Sequence, residues 1–407
     1  MIKELEIFKL ALIESSQRSL QDLPDDKLIC DSNSNKFSDK SCEPLIKVLE
    51  SIPVFANLDG QYFYIPGRME LIKISTIARR LMFRARLFPA DVVVTSFISL
   101  VQDMKLNFME VRLLSGIETD KIIDVSESLK ILPISEVTKF DFPPEVLSKS
   151  SIFHSHESQP SAALVRTRQL SFEILSESID IDDTNDPRSR LMSDATTYDY
   201  WRAALFSILV ASDGPIQFQQ AYSVVADPGW LSSGCAGWSS GHTIPVWGRK
   251  ATVLDAEKIA TFFDFLSTAD KRVLLALSRL QSARLRRNPE DQAIDLGICA
   301  EILLMANSND NAEISYKLAT RAAWLIDGGP STRVATFDAV KNLYNRRSSS
   351  VHSGRFWKSK EKDDLMRQKA EISQYDKICC DLLSAIVKRG QFNDEVWKKI
   401  ILNADDI

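Results

Sequence analysis

Two arginines and a histidine occur close together near position 350. Arg346 and Arg347 precede His352 by six and five positions. An imidazole can move a proton near neutral pH, and a guanidinium neutralises charge on phosphoryl oxygens. Since RNA supplies its own nucleophile, the 2′-hydroxyl, this pair of groups predicts phosphodiester cleavage that needs no metal. The alternative is a histidine that caps carbonyls at a helix end beside solvated arginines.

The spacing leaves the choice of arginine open. On an ideal helix the side chains of Arg347 and His352 point about 140° apart, so they do not share one stripe. A long arginine side chain near a helix end can nevertheless swing towards the imidazole. Both Arg347 and Arg346 are therefore candidates for the group that binds the phosphate.

Glu301 is a lone carboxylate in a stretch, 297–306, that is otherwise uncharged. Burial of an unpaired carboxylate is unfavourable, so we expect a cationic partner. Arg347 and Arg321 are the two candidates. In the functional interpretation Glu301 orients the catalytic arginine, and in the alternative it lies on an exposed strip of its helix.

The elements that position these residues are helices. From residue 255 to residue 407, helical patterns follow one another with short interruptions. Asn288-Pro289-Glu290-Asp291 combines a capping residue, a proline and acids, as at a helix start. We therefore predict an α-helical bundle over 255–407, with helices at about 256–267, 269–287, 289–306, 312–326, 331–353 and 360–388.

The hydrophobic pattern of residues 1–254 is different and predicts a mixed α/β region. The chain as a whole is therefore predicted to be α+β. A helix is expected over 1–17, and residues 227–245 are expected to be irregular because they are rich in glycine. We predict strands over 61–65, 92–99, 109–114 and 163–175. No family is assigned to this region, and a sensor or regulatory role for it is a hypothesis from the two-part architecture.

Positive charge is concentrated in the C-terminal part, although the formal net charge is -5. Residues 271–288 contain six basic residues and no acid, and 331–360 contain seven basic residues and one acid. Arg272, Arg279 and Arg286 are seven apart and would form one stripe on a helix. The stripe predicts contacts with a phosphate backbone, as do Arg355 and Lys358, unless acids elsewhere in the fold pair with it.

Several other classes of protein are excluded or disfavoured. The longest apolar runs are too short to span a bilayer, and acids occupy the place of a signal peptide's basic region. Six irregularly spaced cysteines indicate reduced thiols and a cytoplasmic location. Neither phosphate-binding glycine loop occurs. Gly237-Trp238-Ser239-Ser240-Gly241, followed by His242, matches a nucleophile elbow without its strand and helix. Cys235, His242, His154 and His156 lack zinc-site spacing, so neither a metal nor a cofactor is expected.

Residues 255–405 resemble the HEPN superfamily, in particular the Apea-like branch of prokaryotic HEPN domains. The superfamily's motif is an arginine, four to six residues, and a histidine on a helix of a bundle. Arg347 and His352 match it with four intervening residues, and Arg346 matches it with five. The preceding helices, with Ala276–Arg287 and Ile294-Asp295-Leu296 through Leu304, have the look of that branch.

The resemblance implies a metal-independent endoribonuclease, often a toxin or anti-phage effector, that acts as a homodimer with two facing motifs. RNA would be its substrate, and a phage-derived trigger or an antitoxin would be a further partner. Some relatives of this kind have lost activity and only bind RNA. The rival hypothesis is therefore a non-catalytic module that binds RNA or senses a partner.

Overall fold

The computed structural model describes residues 2–19, 39–65, 68–137, 160–176, 195–225, 235–239, 255–305, 313–326, 328–357, 365–389 and 393–402. The chain divides into two compact units. The first unit comprises residues 1–115, 119–196 and 218–243, and the second comprises 116–118, 197–217 and 244–407.

The first unit combines helices with two β-sheets. Its helices are α1 (Ile2–Ser19), α2 (Asp39–Ser51), α3 (Pro53–Ala56), α4 (Ile74–Leu87), α5 (Ala90–Asp103) and α6 (Ile134–Val137). Its strands are β1 (Tyr62–Ile65), β2 (Arg68–Leu71), β3 (Lys105–Ser115), β4 (Ile123–Asp124), β5 (Leu129–Pro133), β6 (Ala162–Ser171), β7 (Glu173–Leu175), β8 (Gln217–Val225) and β9 (Cys235–Ser239).

The strands form a small and a large sheet. The small sheet has the order β2-β1-β7, and the large sheet has the order β4-β5-β6-β3-β8-β9. The longest pairing is antiparallel and joins β3 to β6, from Lys105 opposite Ser171 to Leu114 opposite Ala162. Phe172 separates β6 from β7, so the single strand predicted over 163–175 is two strands in different sheets.

Apolar faces of α1, α2, α4 and α5 meet in one core of the first unit. Phe8, Phe55 and Phe97 lie at its centre, with neighbouring ring centroids 4.9–5.9 Å apart. Such offset and edge contacts between aromatic rings add to the stabilisation from their burial. The core therefore depends on helix faces and not only on the sheets.

Two further local predictions for the first unit were wrong. The β-branched run at residues 92–94 suggested a strand, yet residues 92–99 lie inside α5. Val93, Val94, Phe97, Leu100 and Val101 are buried there at helical spacing, so burial of one helix face outweighs β propensity. Residues 235–239, predicted to be irregular, form β9 and pair with β8, while their glycine-rich neighbours lie outside the described residues.

The second unit is helical, as predicted for the C-terminal part of the chain. Its elements are α7 (Ala195–Ala211, from residue 197 onward), α8 (Ala256–Thr268), α9 (Lys271–Leu285), α10 (Pro289–Met305), α11 (Ile314–Leu325), α12 (Pro330–Ser353), α13 (Leu365–Arg389) and α14 (Asp394–Ile401). The predicted α+β class with a C-terminal helical bundle is confirmed.

Local signals in the sequence explain where these helices begin. Asp255, Asp270 and Asn393 each precede a helix, and their side chains accept hydrogen bonds from backbone N–H groups of its first turn. This satisfies donors that a helix leaves unpaired at its start. Pro289 begins α10, followed by Glu290 and Asp291, as the sequence predicted.

The second unit includes a helix from before residue 255. Arg202 in α7 donates to the carbonyl oxygen of Leu274 at 3.2 Å, and Gln281 in α9 donates to that of Ile216 at 2.9 Å. Residues 197–217 thus belong to the second unit. The predicted C-terminal region, 255–407, does not include them. The apolar run in α7 is part of the reason, since Ala203–Val210 is buried throughout.

Candidate active site

The three motif residues lie on one uninterrupted helix, α12. Pro330 occupies its first position, and Gly354 ends it with a φ of 65°, a left-handed conformation that glycine adopts readily. Arg346, Arg347 and His352 therefore have the helical spacing that the sequence suggested. Arg347 and His352 are about 7.5 Å apart along the helix axis.

Arg347 is fixed against the neighbouring helix α10. Its Nη2 lies 3.2 Å from Oε2 of Glu301, and both side chains are about two-thirds buried. Its guanidinium also lies 5.7 Å from the ring centroid of Tyr344, one turn earlier in α12. The predicted cationic partner of Glu301 is thus Arg347, and this part of the prediction is confirmed.

Gly297 makes room for this arrangement. A Cβ atom at position 297 would lie 2.8 Å from Cδ and 3.0 Å from Cβ of Arg347. Carbon atoms in proteins do not approach so closely without a shift in one of them. Gly297 and Glu301 are one turn apart in α10. The glycine thus lets the arginine stem cross the helix, and the glutamate holds its guanidinium.

His352 lies in the last turn of α12 and is exposed to solvent. The hydroxyl of Ser353 donates to the carbonyl oxygen of Ser349 at 2.7 Å, and Gly354 N–H donates to the carbonyl oxygen of Ser350. These bonds complete the end of the helix with neighbouring groups. The last two turns of α12 thus carry an exposed imidazole and a partly exposed guanidinium that is oriented by α10.

Arg346, the second candidate for the phosphate-binding group, is buried and is used in the structure. It is 8% exposed, and its Nε donates to Oε2 of Glu371 at 3.0 Å. Its guanidinium lies 4.3 Å from the ring centroid of Trp357, close to Phe356 as well. The structure therefore gives Arg346 a packing role and leaves Arg347 as the better placed arginine.

Arg321 does not contact Glu301, so its prediction as a supporting residue of the site was wrong. It is buried, and its Nη2 lies 2.6 Å from Oδ1 of Asp394 in α14. Its Nη1 donates to the carbonyl oxygen of Leu304 at 2.8 Å, near the end of α10. Arg321 thus satisfies a carbonyl group near the end of α10 and links α14 to the other helices of the bundle.

The predicted basic stripe lies only partly on α9, since Arg286 follows the last residue of that helix in an extended conformation, and it is partly neutralised. Asp295 of α10 is 3% exposed, and its two oxygens lie 3.2 Å from Nη1 of Arg279 and 3.4 Å from Nε of Arg286. Both arginines remain about half exposed, and Arg272 is exposed. Asp295 and Gly297 are about 200° apart around α10, so this pair and Arg347 lie on different sides of that helix.

The other predicted contact residues for RNA lie just after α12. Arg355 is exposed, whereas Lys358 lies outside the described residues. Trp357 is 3% exposed, and the guanidiniums of Arg346 and Arg367 lie 4.3 and 4.6 Å from its ring centroid. Its ring is thus occupied by two side chains. Among the described residues of this segment, Arg355 is the accessible cation.

The patterns set aside in the sequence fall mainly on parts that the structure leaves out. His154, His156 and His242 lie outside the described residues, and Cys235 is described as backbone within β9. Among the described residues, no group of three or more histidine, cysteine, aspartate or glutamate side chains is placed to hold a metal ion.

Sequence reasoning missed the structural role of Arg284. Its Nε and Nη2 each lie 2.8 Å from an oxygen of Asp376 in α13, and its Nη1 donates to the carbonyl oxygens of Ser212 and Gly214. The arginine was counted only as part of a basic segment. Its position beside the buried Leu280 and Ala283 is a weak signal for burial, and it does not indicate the partners.

Comparison with known proteins adds no relative to this picture. No protein-family model, no curated protein and no solved structure matches the chain. None of the helices in the described ranges combines the length and the apolar character that crossing a membrane requires.

Proposed function

We propose that the chain is a metal-independent endoribonuclease of the HEPN type. The observation that supports the proposal is the placement of Arg347, which forms an ion pair with Glu301 and packs on Gly297 of α10, about two turns before the end of the helix that presents His352 to solvent. An arginine fixed by a carboxylate is already oriented for a phosphate, so little freedom is lost on binding.

In the proposed reaction the His352 imidazole takes the proton from the 2′-hydroxyl of RNA. The 2′-oxygen attacks the adjacent phosphorus, and Arg347 neutralises the charge that builds up on the phosphoryl oxygens. The bond to the 5′-oxygen breaks, and that oxygen receives a proton. The products are a 2′,3′-cyclic phosphate and a 5′-hydroxyl end.

One motif histidine per chain supplies one acid or one base. A homodimer through the helical bundle would bring a second His352 to the same phosphate, so that one imidazole accepts a proton and the other donates one. We propose such a homodimer as the active form, located in the cytoplasm and needing no cofactor.

The first test is His352→Ala with 5′-labelled RNA. Because His352 is exposed, the substitution should leave the melting temperature unchanged and abolish cleavage. Val351→Ala, at an exposed neighbouring position, is the matched control and should cleave normally. Equal cleavage by His352→Ala and wild type would refute the proposal, as would loss of activity on addition of EDTA.

The second candidate function is RNA binding without cleavage. It is favoured by Arg279 and Arg286, which remain about half exposed although Asp295 holds them. This hypothesis predicts that the logarithm of the association constant for RNA falls linearly with the logarithm of salt concentration. The slope should be smaller after Arg279→Ala or Arg286→Ala. The absence of a cyclic-phosphate product in the cleavage assay would favour it.

As a biological role we propose a toxin or anti-phage effector, with the first unit as sensor or regulator and a phage-derived trigger or an antitoxin as its partner. RNA cleavage in the host would then stop growth. Expression of wild type should be toxic, and expression of His352→Ala should not. Resistance to phage that persists after deletion of the first unit would contradict a sensor role for it.

A further inference from the structure

Three polar atoms of α10 and α12 are buried without a hydrogen-bond partner among the described residues. They are Oε2 of Glu301, Nε of Arg347 and the hydroxyl oxygen of Ser350. The 3.2 Å contact between Arg347 Nη2 and Glu301 Oε2 is therefore an ion pair that lacks hydrogen-bond geometry. Most buried polar atoms in proteins are paired, so unpaired ones at a candidate active site call for an explanation.

Ser350 is the most buried of the three residues, with 6% of its surface exposed. It follows Arg346 and Arg347 by four and three positions in α12, so it neighbours both arginines on the surface of the helix. A buried hydroxyl without a partner lowers stability, and an alanine at this position would avoid that cost. Departures of this kind from the rules of folding are expected at functional sites.

Arg347 can supply the missing partner, whereas Arg346 is already engaged. Nε of Arg346 donates to Oε2 of Glu371 at 3.0 Å, but Nε of Arg347 is one of the unpaired donors. Residues three apart on a helix have Cβ atoms about 5–6 Å apart, and a long side chain can span this distance by a change of rotamer. An arginine that binds a phosphate through both Nη groups keeps its Nε–H for a second acceptor.

We propose that Ser350 is a positioning residue for Arg347 in the RNA-bound state. Its hydroxyl accepts the Nε–H of Arg347 once the guanidinium has turned from Glu301 towards a phosphate, and this bond holds the phosphate-binding orientation. The hydroxyl is unpaired in the free protein and paired in the complex. The inference rests on the proposed function, because it assigns the binding of a phosphate to Arg347.

The test measures binding of a labelled 2′-fluoro RNA to the full chain by fluorescence anisotropy. This RNA has the phosphates but lacks the nucleophile, so binding is measured without cleavage. Ser350→Ala removes one hydrogen bond to a charged group and should weaken binding about tenfold. Its melting temperature should stay the same or rise, since a buried unpaired hydroxyl is removed. A serine with a purely structural role would change the melting temperature and leave the affinity unchanged.

Ser15→Ala is the matched control. Ser15 lies in α1, is 1% exposed, and its hydroxyl also has no hydrogen-bond partner in the part of the chain that the structure describes. The substitution should affect the melting temperature as Ser350→Ala does and leave RNA binding unchanged. Equal weakening of RNA binding by both variants would overturn the proposal.

A double-mutant cycle shows whether Ser350 acts through Arg347. Arg347→Gln removes the guanidinium and should weaken RNA binding, with the melting temperature as the check on folding, and Ser350→Ala should then have no further effect. Weaker binding by Arg347→Gln with no effect of Ser350→Ala in the wild type would overturn this inference alone. Unchanged binding by Arg347→Gln would overturn the phosphate-binding role of Arg347 as well. A lower melting temperature of Ser350→Ala would show that the hydroxyl is paired in the free protein, which would also overturn the inference.

Discussion

The stem of Arg347 crosses α10 at the one position in that helix that lacks a side chain. Alanine is favoured over glycine inside a helix by about 1 kcal/mol, so Gly297→Ala would ordinarily stabilise the protein. Here the added Cβ would lie 2.8 Å from Arg347 Cδ, and relief of such overpacking costs about 1–3 kcal/mol. We expect Gly297→Ala to lower the free energy of unfolding by up to about 2 kcal/mol in urea denaturation.

Measuring Gly297→Ala also in a variant that lacks the Arg347 side chain separates the clash from any other effect of the alanine. In Arg347→Gly all three atoms that would meet the new Cβ are gone, so Gly297→Ala should stabilise that variant by up to about 1 kcal/mol. The predicted change of sign between the two backgrounds is the measurement. The same destabilisation in both would mean that Arg347 does not pack on Gly297.

The buried thiols of α13 should be unreactive in the native protein. Burial raises the pKa of Cys380 to about 12, and a hydrogen bond with Cys299 together with burial raises the pKa of Cys379. At pH 8 a thiol with a pKa of 12 is ionised in about one molecule in ten thousand, and the thiolate is the nucleophile. We expect almost no alkylation of either residue by iodoacetamide at pH 8.

The control for alkylation is the variant Val351→Cys, which introduces a thiol at an exposed position of α12. The introduced thiol should react with iodoacetamide within a period in which Cys379 and Cys380 do not. If Cys380 of the native protein were alkylated as fast as the introduced thiol, its burial would be contradicted.

The pKa shift of Cys380 also has a consequence for stability. The unfolded thiol ionises near its ordinary pKa of 9.0, whereas the folded one stays protonated until about pH 12. The unfolded state thus loses its proton first, and the contribution to stability falls as the pH rises from about 9 to 12.

At the scale of elements, α12 is joined to α13 through one carboxylate. Glu371 of α13 accepts hydrogen bonds from Arg346 Nε at 3.0 Å, Arg367 Nε at 3.2 Å and the Tyr375 hydroxyl at 3.1 Å. Both guanidiniums also lie within 5 Å of the ring centroid of Trp357. Because Arg346 adjoins Arg347, this network fixes the part of α12 from which the candidate active site projects.

Removal of Arg346 should therefore destabilise the bundle strongly. Arg346→Ala leaves Glu371 largely buried with fewer partners, and loss of one member of a buried ion pair costs about 3–5 kcal/mol. Arg346→Lys should recover little of this, since an ammonium cannot reproduce the guanidinium's stacking on Trp357. The measurement is urea denaturation, with Arg355→Ala, an exposed arginine nearby, expected to change stability by less than about 0.5 kcal/mol. A small effect of Arg346→Ala would instead favour the exposed, phosphate-binding role.

The helices near the site were predictable, whereas the partners of individual arginines were only partly so. Pro289, Pro330 and Gly354 set the bounds of α10 and α12 locally, and the lone carboxylate at Glu301 predicted its contact with an arginine. Adjacent residues on a helix point about 100° apart, so one side chain of the Arg346-Arg347 pair had to be less accessible. The sequence alone does not determine which of the two side chains is buried, because that depends on how α10 and α13 pack around α12.

At the scale of the molecule, the least predictable feature is the membership of α7 in the second unit. The texture of the sequence changes at residue 255, but contacts between distant parts of the chain assign residues 197–217 to the bundle. Arg284 carries several of them, through carbonyl oxygens of Ser212 and Gly214. Carbonyl groups at the end of a helix such as α7 need hydrogen-bond donors from outside the helix. Arg284, 70 positions after Gly214, supplies them, and nothing in the sequence near either residue indicates this contact.

The two units should respond separately to substitutions in their interiors. Arg284→Ala leaves Asp376 and the carbonyls after α7 without their donor, at a cost of about 3–5 kcal/mol. In hydrogen exchange, amides of α7, α9 and α13 should then lose protection by a factor of about 10² or more, while amides of β3 and β6 keep theirs. Phe97→Ala, in the core formed by α1, α2, α4 and α5, is the reciprocal variant and should cost about 3–5 kcal/mol in the first unit alone. Loss of protection in both units from either substitution would show that they unfold as one cooperative body.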